Sequence, residues 1–99
     1  MNRGSPVSRP EKVTRFANVP NPGVPEGIAV SRNSQIAVGT FYHEGPSHIF
    51  VFNVEGRLLR DVTIIDKVPS PLLGVIWKEN DIYAADFGNG RILLITPDD

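Results

Sequence analysis

The feature that most constrains this chain is that its sequence restarts. Gly74-Val75-Ile76-Trp77 repeats Gly27-Ile28-Ala29-Val30 at an offset of 47 residues. Ile82-Tyr83-Ala84-Ala85-Asp86 repeats Ile36-Ala37-Val38-Gly39-Thr40 at 46, the turn between having lost one residue. Ile92-Leu93-Leu94-Ile95 repeats Ile49-Phe50-Val51-Phe52 at 43, across a shorter loop. Each run is short and rich in β-branched, aromatic or small apolar residues, and each is bounded by turn residues, as antiparallel strands require. Ser31-Arg32-Asn33-Ser34 is a polar turn, and Glu55-Gly56 is a tight hairpin connection into a fourth run over residues 58–65, the glycine supplying positive φ. The second copy ends after its third run, with Thr96-Pro97-Asp98-Asp99 where the first made its hairpin.

A period of about 40–50 residues with four strands per unit is the spacing of β-propeller blades. The predicted fold class is therefore all-β: a partial β-propeller of two consecutive four-stranded antiparallel blades, the second lacking its outer strand. Blade repeat one spans residues 25–65 and blade repeat two residues 72–99, within a unit covering 13–99. A β-sandwich explains the strands but not their matched restart. Small residues on the second strands (Ala37, Gly39; Ala84, Ala85) suit crowding near the propeller axis, and the bulkier third strands suit packing between blades. Residues 13–19 form an extended segment that ends in Pro20-Asn21-Pro22-Gly23 and reads as the outer strand of an absent blade. Residues 1–12, with Gly4, Ser5, Pro6, Ser8 and Pro10, read as a disordered leader.

Composition narrows the chemistry. With 99 residues the chain has room for one small core. A net charge of −1 offers no basic patch for nucleic acid or an anionic membrane, and no apolar run is long enough for a signal peptide or a membrane span. The expectation is no nucleic-acid and no membrane partner, with a cytoplasmic location favoured. The absence of cysteine removes disulfides, thiolate catalysis and cysteine-ligated zinc.

Two stretches resemble a known group. Pro25-Glu26-Gly27-Ile28-Ala29-Val30, followed by a polar turn and a short strand, is similar to the blade opening of the senescence marker protein/gluconolactonase/strictosidine synthase-like propellers. Tyr83-Ala84-Ala85-Asp86-Phe87-Gly88-Asn89-Gly90-Arg91-Ile92 resembles the core of an NHL repeat, the blade unit shared with that superfamily. The likeness covers roughly residues 13–99. It implies a six-bladed propeller of which fewer than two blades are present. It also implies a divalent cation, commonly calcium, held in the channel by carboxylate and amide oxygens from inner strands, to polarise a lactone or ester carbonyl or to activate water. Glu26 is the position that matches such a ligand; its counterpart in the second copy, Leu73, cannot ligate. One carboxylate is far short of the about six to eight oxygens that calcium takes.

The remaining candidates are loop residues. His43, Glu44 and His48 lie in the connection between second and third strands, where a ligand at one face of the propeller would meet them. The two histidines are five apart with Gly45 and Pro46 between, so they cannot form the helical zinc pair of metalloproteases. Asp86 precedes a glycine-rich turn whose N–H groups its carboxylate can accept, and channel ligation is its other reading. Asp86-Phe87-Gly88 has no kinase context, and Trp77 and Phe87 read as blade-packing residues. No Ser/His/Asp arrangement follows from spacing, so catalytic residues stay unassigned.

Three functions remain in competition: a metal-dependent lactone or ester hydrolase, inactive as this chain alone; a non-catalytic NHL-type module binding a protein or sugar; and self-association through exposed blade edges.

Overall fold

The computed structural model describes residues 12–21 and 23–97 and is all-β over that range. Seven strands follow in order: β1 (Val24–Val30), β2 (Ile36–Phe41), β3 (His48–Phe52), β4 (Leu58–Thr63), β5 (Leu72–Lys78), β6 (Asp81–Asp86) and β7 (Arg91–Ile95). They form two antiparallel meanders, β1-β2-β3-β4 and β5-β6-β7, which is the architecture of a partial, unclosed β-propeller. Among the described residues the second sheet has three strands, in keeping with the sequence restart. Of the expected leader, residues 1–11 lie outside the described residues.

Local chemistry explains the turns. Ser31 caps the first one: its Oγ accepts the Gln35 N–H at 2.9 Å and donates to Asn33 Oδ1 at 2.6 Å. Asn53 does the same between β3 and β4, its Oδ1 accepting the N–H groups of Glu55 and Arg57, while Gly56 turns at φ 82°. In both, an oxygen-bearing side chain satisfies backbone donors that the ladder leaves free.

The two sheets pack face to face. Ala37, Ile49 and Val51 from the first meet Leu72, Val75, Ile82, Ala84 and Ile95 from the second. Polar contacts also tie the faces: Trp77 Nε1–H donates to Ala29 O at 3.1 Å, and Arg60 Nη2 donates to Thr96 O at 3.2 Å. Trp77 thus packs between blades as expected. The closest approach is between first strands, where Gly27 faces the backbone of Leu73 and Gly74. On β2, Gly39 also lies close to the second sheet, against Val75 and Leu72.

A smaller cluster of Val38, Phe50 and Phe52 lies on the far face of the first sheet, with Ala17 and Val19 laid over it. Residues 12–20 carry no strand, so the extended segment expected at 13–19 runs over that face and joins no ladder within its own chain.

Candidate functional site

Strand alternation gathers the loop residues. The start of β1 pairs with the end of β2 (Val24 with Phe41), the start of β3 with the end of β4 (His48 with Thr63), and the start of β5 with the end of β6 (Leu72 with Asp86). The loop at 42–47, the linker at 64–71 and the turn at 87–90 therefore share one end of the structure. Glu26, His43, Glu44, His48 and Asp86 all belong to that end.

Glu26 occupies a β-bulge. Pairing steps from Pro25–Thr40 to Gly27–Gly39, leaving Glu26 as the extra residue on β1. A bulge re-aims the side chain it carries, and here that side chain is exposed. The second sheet slips at the matching place, between Leu72 and Val75, so Leu73 stands where Glu26 stands in the first. The bulge belongs to the repeat, while the carboxylate belongs to one copy.

Around it the rim is aromatic. His43 meets Phe41 edge to face at 4.7 Å between ring centroids, and Phe41 lies 6.0 Å from Phe87 across the junction of the sheets. Phe87 is 61% exposed, so it covers the rim more than it packs the blades. Glu44 is exposed nearby.

His48 points elsewhere. Its ring stacks on Phe50 at 5.1 Å, on the far face of the first sheet, and its Nδ1 is 2.7 Å from Asp61 Oδ1. A carboxylate that fixes a histidine in this way is half of a catalytic arrangement. Among the described residues, no hydroxyl nucleophile is hydrogen-bonded to the other ring nitrogen. His43 and His48 thus do not act together, in keeping with the glycine and proline between them.

Asp86 is held tightly by its neighbours. It is 2% exposed. Its Oδ1 accepts the Asn89 N–H at 3.2 Å, and its Oδ2 accepts Asn89 Nδ2 at 2.9 Å and Arg91 Nε at 2.9 Å. Burial pushes this carboxyl upward, but the hydrogen bonds from Asn89, Arg91 and Ser70 together outweigh burial and hold it below its usual value. Arg91 also reaches Asp66 on the linker through Nη2, and Asn89 Nδ2 reaches Pro69 O at 3.2 Å. The network fastens the β6–β7 turn to the segment that enters β5, so the carboxylate has little capacity left for a ligand. The turn N–H bond was legible from Asp86 preceding a glycine turn. The Asp66 and Ser70 partners were not, because they lie about twenty residues away in sequence.

Sequence reasoning also missed Ser47, whose side chain is fully buried and whose Oγ has no hydrogen-bond partner among the described residues. A buried hydroxyl without a partner costs free energy. Ser47→Ala is therefore expected to leave stability unchanged or raise it by up to about 1 kcal/mol in urea denaturation. A loss of more than that would show a hydrogen bond to Ser47.

The donor set does not make a cation site by itself. Glu26 offers one carboxylate, and the described residues contain no group of three or more His, Cys, Asp or Glu side chains placed to hold a metal. No helix of the structure is long and apolar enough to cross a membrane. No protein-family model and no curated protein matches the chain.

Proposed function

We propose that this chain is a blade pair of the gluconolactonase-like propeller type, working through the end that carries Glu26. The supporting observation is the bulge that lifts Glu26 out of the β1 ladder at the strand nearest the neighbouring sheet. On this reading Glu26 contributes one oxygen ligand to a calcium-type cation, and the other ligands come from further blades. Because the described residues offer only that one ligand, hydrolysis of a lactone or ester belongs on this reading to a fuller set of blades.

Calcium titration of the full chain by calorimetry, with thermal unfolding in parallel, tests the reading. Expected are weak binding heat and a small rise in melting temperature, both lost in Glu26→Gln, since a ligand that binds the folded state stabilises it. Absence of both effects in the unaltered chain would show that Glu26 binds no cation in the blade pair.

A second reading rests on the rim aromatics. Phe41, His43 and Phe87 present partly exposed rings at one end of the sheets, a surface suited to a sugar ring or an apolar side chain of a protein partner. It needs no metal, so ligand binding that is insensitive to chelator and lost in Phe87→Ala would favour it.

A further inference from the structure

The two sheets are not covered alike. Ile49 and Val51 of the first are fully buried against the second. Their counterparts by the repeat offset, Ile92 and Leu94, are 75% and 51% exposed, and Ile76, the counterpart of the half-buried Ala29, is 61% exposed. The converse holds on the far face of the first sheet. Ile28 and Val30 are 70% and 64% exposed, although their counterparts Val75 and Trp77 pack between the sheets. The glycines show the same asymmetry: a side chain at Gly27 would strike the neighbouring backbone, whereas nothing stands within 4 Å of one at Gly74. The bare face of the second sheet therefore matches the covered face of the first, and the far face of the first matches the covered face of the second. One copy thus carries both halves of the interface it already contains, the second sheet's bare face exposed at Ile76, Ile92 and Leu94 and the first sheet's far face exposed at Ile28 and Val30.

A sequence correspondence adds the missing strand. Val13-Thr14 and Val19-Pro20-Asn21-Pro22 match Val62-Thr63 and Val68-Pro69-Ser70-Pro71 at an offset of 49, with five of the ten positions in 13–22 identical. In the first sheet, Val62 and Thr63 end β4, the strand that covers the edge of β3. β7 pairs with β6 and has no such strand on its other edge among the described residues. Residues 16–19 already lie along the far face of the first sheet, where Ala17 and Val19 cover Val38, Phe50 and Phe52.

We propose that this chain associates head to tail with a second copy of itself. The far face of one copy's first sheet seats on the bare face of the other's second sheet, and residues 13–16 of the former lie along the open edge of the latter's β7. The contact continues the inter-sheet interface already present and adds a strand by edge pairing. Because the two surfaces differ, it is heterologous, giving a ring if the rotation closes and a chain if it does not.

Light scattering of the full chain at micromolar concentration is expected to give a mass of at least twice 10.9 kDa. Ile92→Glu disables one face and Ile28→Glu the other; both positions are exposed, so circular dichroism should show the fold retained. Each variant alone should associate at least roughly tenfold more weakly. Mixed, they should form a one-to-one dimer that grows no further, because each keeps the face the other lacks. Leu94→Lys repeats the first arm should Ile92→Glu not fold. A monomeric unaltered chain overturns the proposal and leaves both faces to blades of the same polypeptide. Association unaffected by either variant, or unrescued by mixing, overturns it as well.

Discussion

Gly27→Ala is expected to destabilise the fold by about 3 kcal/mol, the upper part of the range for overpacking, while Gly74→Ala changes monomer stability by no more than about 1 kcal/mol. The two glycines are the same position of the repeat, so propensity and turn chemistry cannot separate them. What differs is the neighbour. A Cβ on Gly27 would stand 2.7 Å from Leu73 O and 3.2 Å from both Gly74 Cα and Val75 N. All three are backbone atoms of β5, which cannot rotate away as a side chain would. Relief must come from moving one sheet off the other, which opens the cluster of Ile49, Val51, Leu72 and Ile82. For a chain of this length, with total stability of about 5–15 kcal/mol, that is a large fraction. A Cβ on Gly74 meets nothing within 4 Å, and alanine there also restricts the unfolded chain. Urea denaturation of both variants, at a concentration where light scattering gives the monomer mass, checks the contrast. Equal losses would mean that β1 and β5 do not approach as described. At concentrations that favour assembly the ranking narrows, because Gly74 then becomes the position against which a second copy's β1 region packs.

How much of this was legible in the sequence depends on the range of the interaction. The strands and their order follow from matched apolar runs and turn residues, and the Asn53 and Gly56 turn needed only its local chemistry. The two-sheet division follows from the restart. The bulge at Glu26 was not visible, because a register slip depends on the partner strand: nothing in Pro25-Glu26-Gly27 alone says that Thr40 and Gly39 will be consecutive partners. The close packing of β1 on β5 was missed for a related reason. Small residues on β2 drew attention, whereas the close approach is made by a single glycine on β1 whose importance appears only when β5 lies across it. At the candidate site, Glu26 and the loop residues were placed at one end by simple alternation of strand direction. Side-chain partners such as Asp61 for His48, or Asp66 and Ser70 for the Asp86 network, required the fold. The sequence separations run from 13 residues for His48 and Asp61 to 25 for Asp66 and Arg91.

Asp86→Ala is expected to cost about 3 kcal/mol near neutral pH, and the loss should fade in acid. The carboxylate accepts hydrogen bonds from the Asn89 backbone and side chain and from the Arg91 guanidinium, with Ser70 adding another, in a site that is 2% exposed. Removing it frees Asn89 and Arg91 to water, which offsets part of the loss, since both are exposed. It also unfastens the β6–β7 turn from residues 66–70, the path by which the chain enters β5. The pH dependence follows from the direction of the shift. The folded carboxyl sits below its ordinary value of 3.8, so folding favours the ionised form. Its contribution is complete above the ordinary carboxylate range and disappears as pH falls through the folded value. Asp66, lowered by the Lys67 N–H and then by Arg91, acts in the same direction, but as an exposed group it adds little. The gap in urea midpoint between the unaltered chain and Asp86→Asn, which keeps the shape and removes the charge, should be widest at about pH 6–7 and should close below about pH 4. A gap that stayed constant down to strong acid would show that Asp86 acts by shape and neutral hydrogen bonding rather than by its charge.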